Sequence, residues 1–171
     1  MRQNGPIELA FGRGTLPLSL PNGAAPTLLR KAVLAKLPDN QAAIRAAFDN
    51  PVDAPPLAEL VRGRRSACIL ICDITRPVPN RLFLRPMIET MLAGGIPAER
   101  IDVLVATGLH RPNEGDELAE LIGDPWVQRT VRVSNHFARS VEDQVDLGTT
   151  PTRGTPVKLN RLLVAADLRI A

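Results

Sequence analysis

The chain has 171 residues, 44% hydrophobic and 23% charged, enough to bury a sizeable core in one domain or one domain plus an extension. Its longest apolar run, residues 67–72, is far too short to cross a bilayer, and the opening MRQNGPIELA lacks a basic segment followed by an apolar stretch; a cytoplasmic protein with no membrane partner is expected. The net charge of +3 comes from 21 Lys and Arg scattered singly among 18 acids, and with no Tyr, one Trp and four Phe there is little surface for stacking bases, which argues against nucleic acid.

Near the N-terminus Ile7, Leu9 and Phe11 alternate, Gly12-Arg13-Gly14 supplies a turn, and Leu16, Leu18 and Leu20 alternate again. This is the pattern of a β-hairpin with one apolar face, and Pro17 confines its second strand to an edge or a bulge. Residues 24–38 are weakly patterned and read as a linker with one helical turn. Asp39 then fits the N-cap of a helix carrying Ile44, Ala47 and Phe48 on one face and stopped at Asn50-Pro51. A shorter helical piece with Leu57, Leu60 and Val61 leads through the basic residues 62–65. The chain so divides into a hairpin extension (1–23), a helical lead-in (24–65) and a core (66–171).

The core begins with CILICDITRPVPN, residues 68–80. Its first half is a dense apolar run, the pattern of a strand buried on both faces of a parallel sheet. Cys68 and Cys72 share one face of that strand about 13 Å apart, too far for a disulfide, and read as small hydrophobes. Asp73, Thr75, Arg76 and Asn80 follow at once, stiffened by Pro77 and Pro79. Asn80 is placed to cap a helix that runs to Gly94-Gly95 with Leu84 and Ile88 inward and Pro86 in its first turn or at a kink. IDVLVA, residues 101–106, is a second buried strand ending in another polar turn, Thr107-Gly108-Leu109-His110-Arg111-Pro112. Asn113 is placed to cap the next helix, with Asp116 at its third position and Leu118, Leu121 and Ile122 facing the core. A third strand is expected over residues 130–134, ending at Asn135-His136. A hairpin-like region follows around residues 148–160 with Gly154 in its turn, then a last strand over 167–170.

Successive strand-turn-helix units imply right-handed crossovers and a parallel sheet, an α/β Rossmann-like fold with an N-terminal β-hairpin. Both polar turns then lie at the carboxyl edge of the sheet, where open α/β sheets bind ligands, and Asp73, Arg76 and His110 are expected to converge there. Arg76 can hold a carboxylate or phosphate with a bidentate fork. His110 can take or give a proton near neutrality. Asp73 can orient the imidazole, accept from a ligand hydroxyl, or pair with Arg76. Thr75 and Thr107 add hydroxyls, and Gly108 lets a ligand approach the backbone. His136, just past a strand, can border the site or serve the frame.

DITRPVPN followed by ATGLHRP resembles the N-terminal half of the lactate racemase family, the nickel-pincer nucleotide enzymes that interconvert enantiomers of 2-hydroxy acids. FGRGTLPLSLP, SNH and GTTPTRGTPVKLNRLLVAADLRI extend the resemblance over nearly the whole chain. It implies a pyridinium-derived cofactor carrying nickel in an S–C–S pincer, which takes a hydride from the substrate carbon while a His removes the hydroxyl proton. By resemblance His110 matches one of two acid/base His residues and Arg76 the Arg that grips the substrate carboxylate. Asp73, Thr75, Thr107, Gly108 and Arg111 fall in motifs lining the cofactor and substrate cleft. The second catalytic His, the Lys carrying the cofactor and the nickel-ligating His lie, in the family, beyond the point matching Ala171, and Lys158 sits in a hairpin rather than a Gly-rich turn. Phe137 stands where relatives often carry an acid after the third-strand His. The implied partners are a 2-hydroxy acid, a missing C-terminal domain and cofactor-biosynthesis proteins, and the fragment alone is expected to be inactive. The alternative is a non-catalytic α/β domain holding a nucleotide or phosphorylated metabolite at the same edge; in a purely structural or interaction domain His110 and Arg76 would only close turns.

Overall fold

A computed structural model describes residues 7–171, which fall into two compact units, residues 7–36 and 37–171. In the first, β1 (Ile7–Phe11) and β2 (Gly14–Leu18) form the expected antiparallel hairpin, paired Ile7 with Leu18, Leu9 with Leu16 and Phe11 with Gly14. The two-residue loop needs a positive φ, which Gly12 supplies at 57°. Residues 1–6 of the expected hairpin extension lie outside the described residues. Residues 24–38 contain no helix, so the helical turn expected there is corrected: Leu28, Leu29, Val33, Leu34 and Leu37 are exposed, and without a surface to pack on a short helix is not held.

The second unit is built on a four-stranded parallel sheet in the order β5-β4-β3-β8. Its strands are β3 (Ala67–Cys72), β4 (Ile101–Ala106), β5 (Arg132–Asn135) and β8 (Leu168–Ile170). The helices α1 (Asn40–Asp49) and α2 (Leu57–Val61) precede β3, α3 (Asn80–Ala93) connects β3 to β4, and α4 (Gly115–Ile122) and α5 (Pro125–Thr130) connect β4 to β5. Asp39 caps α1 as expected, its carboxylate accepting from Ala42 N at 3.0 Å.

One face of the sheet carries the main core. Ile69, Ile71, Ile101, Val103 and Val105 pack there with Val61 of α2, Leu84, Ile88 and Met91 of α3, Leu121 and Ile122 of α4 and Val127 of α5. The other face is thinner. Cys68, Leu70 and Leu104 meet Ala166 and the residues Leu162 and Leu163 of α6 (Arg161–Ala165), which follows the antiparallel pair β6 (Gln144–Thr149) and β7 (Pro156–Asn160). Because both faces are covered, β3 reads as an unbroken apolar run rather than an alternating one, and β4 is interrupted only at Asp102, which accepts from Arg132 at the start of β5. Among the described residues no helix is long and apolar enough to cross a membrane.

Three local expectations are corrected. Asn80 is the first residue of α3 rather than its cap, and its buried side chain donates from Nδ2 to the Leu121 carbonyl at 2.9 Å, tying the start of α3 to the end of α4. Asn113 does not cap α4, whose cap position is Glu114 and which begins at Gly115; Asn113 is buried and bonded to Asn135 at the end of β5, to Ile74 in the turn after β3 and to Glu117. The third strand starts at Arg132, because residues 125–130 form α5, with Asp124 capping Trp126 N at 2.8 Å and Pro125 at the first position.

Candidate active site

In the parallel register Cys72 lies beside Ala106, so the turns leaving β3 and β4 begin side by side at the carboxyl edge of the sheet. Both turns close in the same way. Arg76 N donates to Asp73 O at 3.1 Å and His110 N to Thr107 O at 2.9 Å, so Arg76 and His110 occupy equivalent fourth positions of neighbouring turns.

Asp73 and His110 meet directly. The Asp73 carboxylate is buried, with Oδ1 accepting from the Thr75 hydroxyl at 2.6 Å and Oδ2 lying 2.5 Å from His110 Nδ1. Burial alone would push the Asp73 carboxyl up, but the hydrogen bonds from Thr75 and His110 and the imidazole charge together hold it below the usual carboxylate range. A carboxylate at that distance requires the proton on Nδ1, which leaves Nε2 as the nitrogen free to exchange protons on the more exposed side of the ring. The Asp73–Arg76 bridge that could have closed the first turn does not form, since Asp73 is engaged by Thr75 and His110. The Arg76 side chain is exposed and has no hydrogen bond or ion pair among the described residues.

Other expected site residues serve the frame around this pair. Thr107 is buried, and its hydroxyl donates to the His136 carbonyl at the exit of β5. Arg111 grips Glu117 of α4 with a bidentate fork, Nη1 to Oε2 at 2.5 Å and Nη2 to Oε1 at 2.7 Å. That hydrogen bonding, with a further bond from Asn113, pulls the Glu117 carboxyl down to about 2. Gly108 takes φ 57°, a conformation that glycine adopts without strain, and stands open at the rim with Thr75. His136 accepts at Nδ1 from Asn160 Nδ2 at 3.1 Å and borders a small cavity of about 120 Å³ on the thin face of the sheet, with Leu70, Leu104, Lys158 and Leu159. Cys68 is buried, which pushes its thiol up to about 11, and Cys72 is exposed; both are free.

Sequence reasoning missed Asn113 and Asn135 as residues of the site's frame. Asn113 N donates to Asn135 Oδ1 and Asn135 Nδ2 donates back to Asn113 O, each at 2.9 Å, while Asn113 Oδ1 accepts from Ile74 N at 3.3 Å. A polar residue three positions past the His, and another ending the third strand, were the available signals.

The chain matches the lactate racemase N-terminal domain family over residues 11–171. It is 30% identical over 167 residues to a lactate racemase of Thermoanaerobacterium thermosaccharolyticum, covering 96% of this chain and 38% of the relative. The corresponding figures for a lactate racemase of Lactiplantibacillus plantarum are 29% over 167 residues, 96% and 39%. Among solved structures, the lactate racemase apoprotein from Thermoanaerobacterium thermosaccharolyticum superposes with a TM-score of 0.72 at 27% identity, over 96% of this chain and 38% of that one. A Thermotoga maritima protein at 22% identity and TM-score 0.53, over 66% of this chain and 30% of that one, shares the fold alone. The chain thus spans less than two-fifths of the length of these relatives, and within that span fold, motifs and similarity agree: it belongs to the lactate racemase N-terminal domain family.

Proposed function

We propose that the chain is the substrate- and cofactor-facing domain of a nickel-pincer nucleotide-dependent racemase or epimerase of 2-hydroxy acids, working with a second domain from the part of the relatives that it does not span. The observation that carries this reading is the 2.5 Å contact between buried Asp73 and the His110 imidazole at the carboxyl edge of the sheet, with the unengaged Arg76 at the equivalent position of the next turn. Membership of a family whose relatives are named lactate racemases supports the substrate class.

In this reading Asp73 fixes the His110 tautomer, and Nε2 takes the hydroxyl proton of one enantiomer and returns it in the reverse direction, while the second His, assigned to the other domain, does the same for the opposite enantiomer. Asp73 also stabilises the imidazolium formed in between, as an orienting carboxylate does in catalytic triads. The Arg76 fork receives the substrate carboxylate, which orients the carbon bearing the hydroxyl. Thr75 and Gly108, exposed at the same rim, face the cofactor, whereas Thr107 and Arg111 act by holding the loop. Among the described residues no group of three His, Cys, Asp or Glu side chains could hold a metal ion. The exposed Arg76 guanidinium at this rim suits an anionic group, and the covalent Lys and nickel-ligating His are assigned to the second domain. When bound, the cofactor supplies a reversible hydride acceptor for the substrate carbon. The longer protein is cytoplasmic and depends on cofactor-biosynthesis proteins for loading; without its second domain this chain performs no turnover.

The test uses the longer protein, made together with those biosynthesis proteins and assayed for interconversion of D- and L-hydroxy acids by chiral chromatography. His110→Ala is expected to abolish interconversion while the far-ultraviolet circular dichroism is unchanged, because a half-exposed turn imidazole contributes little to the core. Arg76→Ala is expected to raise KM far more than it lowers kcat. Full activity in the His110 variant would sink the reading.

A further inference from the structure

The loop that carries His110 is held at both feet by two consecutive residues at the exit of β5. At the near foot, the buried Thr107 hydroxyl donates to the His136 carbonyl. At the far foot, the Asn135 side chain closes a ring on the backbone of Asn113, accepting from its N–H and donating to its C=O, each at 2.9 Å. Asn113 then passes the restraint on: its Oδ1 accepts from Ile74 N at 3.3 Å, the residue directly after Asp73, and its Nδ2 donates to Glu117 at 2.8 Å. A closed circuit results. Asp73 touches His110 at 2.5 Å, the loop runs three residues from His110 to Asn113, and Asn113 returns to the residue beside Asp73.

Among the described residues no hydrogen bond joins a side chain of strand β5 to His110, and the strand carries none of the reacting groups assigned above. Its terminal amide nevertheless sets where the loop ends, and so where the imidazole stands against the carboxylate. Burial makes the restraint strong: Asn113 is 1% exposed, and a side-chain amide that satisfies both polar groups of one buried peptide residue leaves the loop no alternative partner of equal quality. We propose that Asn135 is a positioning residue for the His110–Asp73 pair, holding the His110 loop in register from the neighbouring strand. The assignment of a catalytic role to His110 comes from the function proposed above; the positional claim concerns the geometry of the pair.

The test is proton NMR on the 171-residue chain, which needs no cofactor and no turnover, so its outcome is separate from that of the racemisation assay. A proton held between Nδ1 and a carboxylate resonates far downfield, and loss of the signal in His110→Gln assigns it. Asn135→Ala is expected to lose this signal through exchange with water while the remaining spectrum stays folded. Val127→Ala, which truncates a fully buried side chain of α5, is expected to lower stability yet keep the signal. Should Asn135→Ala fail to fold, Asn135→Asp, isosteric but without the Nδ2 donor, is expected to lose the signal in its place. A folded Asn135 variant that retains the wild-type signal would overturn the proposal. So would equal loss in Val127→Ala, since Asn135 would then act only through general stability, or the lack of a downfield signal in the wild type.

Discussion

Thr107 sits at a position where two kinds of reasoning disagree about a substitution. It is 2% exposed, so replacing it with the isosteric but more apolar Val should be favourable on transfer grounds alone, whereas Ser, which loses a methyl group, should cost about 1 kcal/mol. The structure reverses that order. The Thr107 hydroxyl is the side-chain donor to the His136 carbonyl, and Thr107→Val leaves that carbonyl without it in a site from which water is largely excluded, at a cost of about 1–3 kcal/mol. For a chain of this length each kcal/mol moves Tm by about 2–4 °C, so Thr107→Val should melt roughly 2–12 °C below wild type. Thr107→Ser keeps the donor and should lie between the two. Urea unfolding followed by fluorescence of Trp126, the one tryptophan, gives the stabilities directly. Hydrogen exchange at the His110 amide, which donates to the Thr107 carbonyl at 2.9 Å, reports whether the loop itself has loosened. A Val variant as stable as wild type, or more stable than the Ser variant, would refute the assignment of this hydroxyl to the frame and free it for a ligand.

Gly94 follows α3 with an ordinary φ of -79°, where Ala would usually gain a few tenths of a kcal/mol to about 1 kcal/mol by stiffening the unfolded chain. Here an added Cβ runs into Cγ1 of the fully buried Val61, so Gly94→Ala should instead destabilise by about 1–3 kcal/mol, and Val61→Ala should relieve part of that cost when the two are combined; strictly additive losses in urea melts would show that no clash exists. Glu117 predicts an acid limb in stability. Its carboxyl is held at about 2 by Arg111 and Asn113, below its ordinary value near 4.5, so its contribution is complete above about pH 5 and disappears as pH falls through the folded value. The stability difference between wild type and Glu117→Gln should accordingly shrink between about pH 5 and about pH 2, and a constant difference would contradict the ion pair.

The two central strands were readable because they are covered on both faces and therefore dense in apolar residues; their bounds, Ala67–Cys72 and Ile101–Ala106, follow that density, broken only by Asp102. The hairpins were readable from Gly12 and Gly154, whose φ values of 57° and 63° mark the turns. What escaped notice was short or polar. Helix α5 has only six residues, too few for a periodicity, and its Asp124-Pro125 start was the sole signal. Helix α6, with five residues, was absorbed into the approach to the last strand, although Asn160 caps it by accepting from Leu162 N at 2.9 Å. Asn80 and Asn113 looked like caps because Asn before an apolar-periodic segment usually is one. Their partners, Leu121 and Ile74, are 41 and 39 residues away in the chain, and no local pattern encodes such bonds. The meeting of Asp73 with His110 was legible for the opposite reason: once two strands are parallel and adjacent, their exits must be neighbours. Which of the exit residues face a ligand and which brace the loop was not, and Thr107 and Arg111 show the limit, since a hydroxyl and a guanidinium in a motif look the same whichever they do.

The matching turns after β3 and β4 have a mechanical implication. Because Arg76 and His110 each ride on the last step of the same tight bend, and each bend starts at the final rung of adjoining strands, the gap between them is inherited from the pitch of the hydrogen-bonded ladder rather than from side-chain packing. Trimming the interior beneath should lower the melting point without altering that gap. Lengthening either bend by a single residue should rotate its functional side chain out of alignment in a molecule that otherwise folds normally.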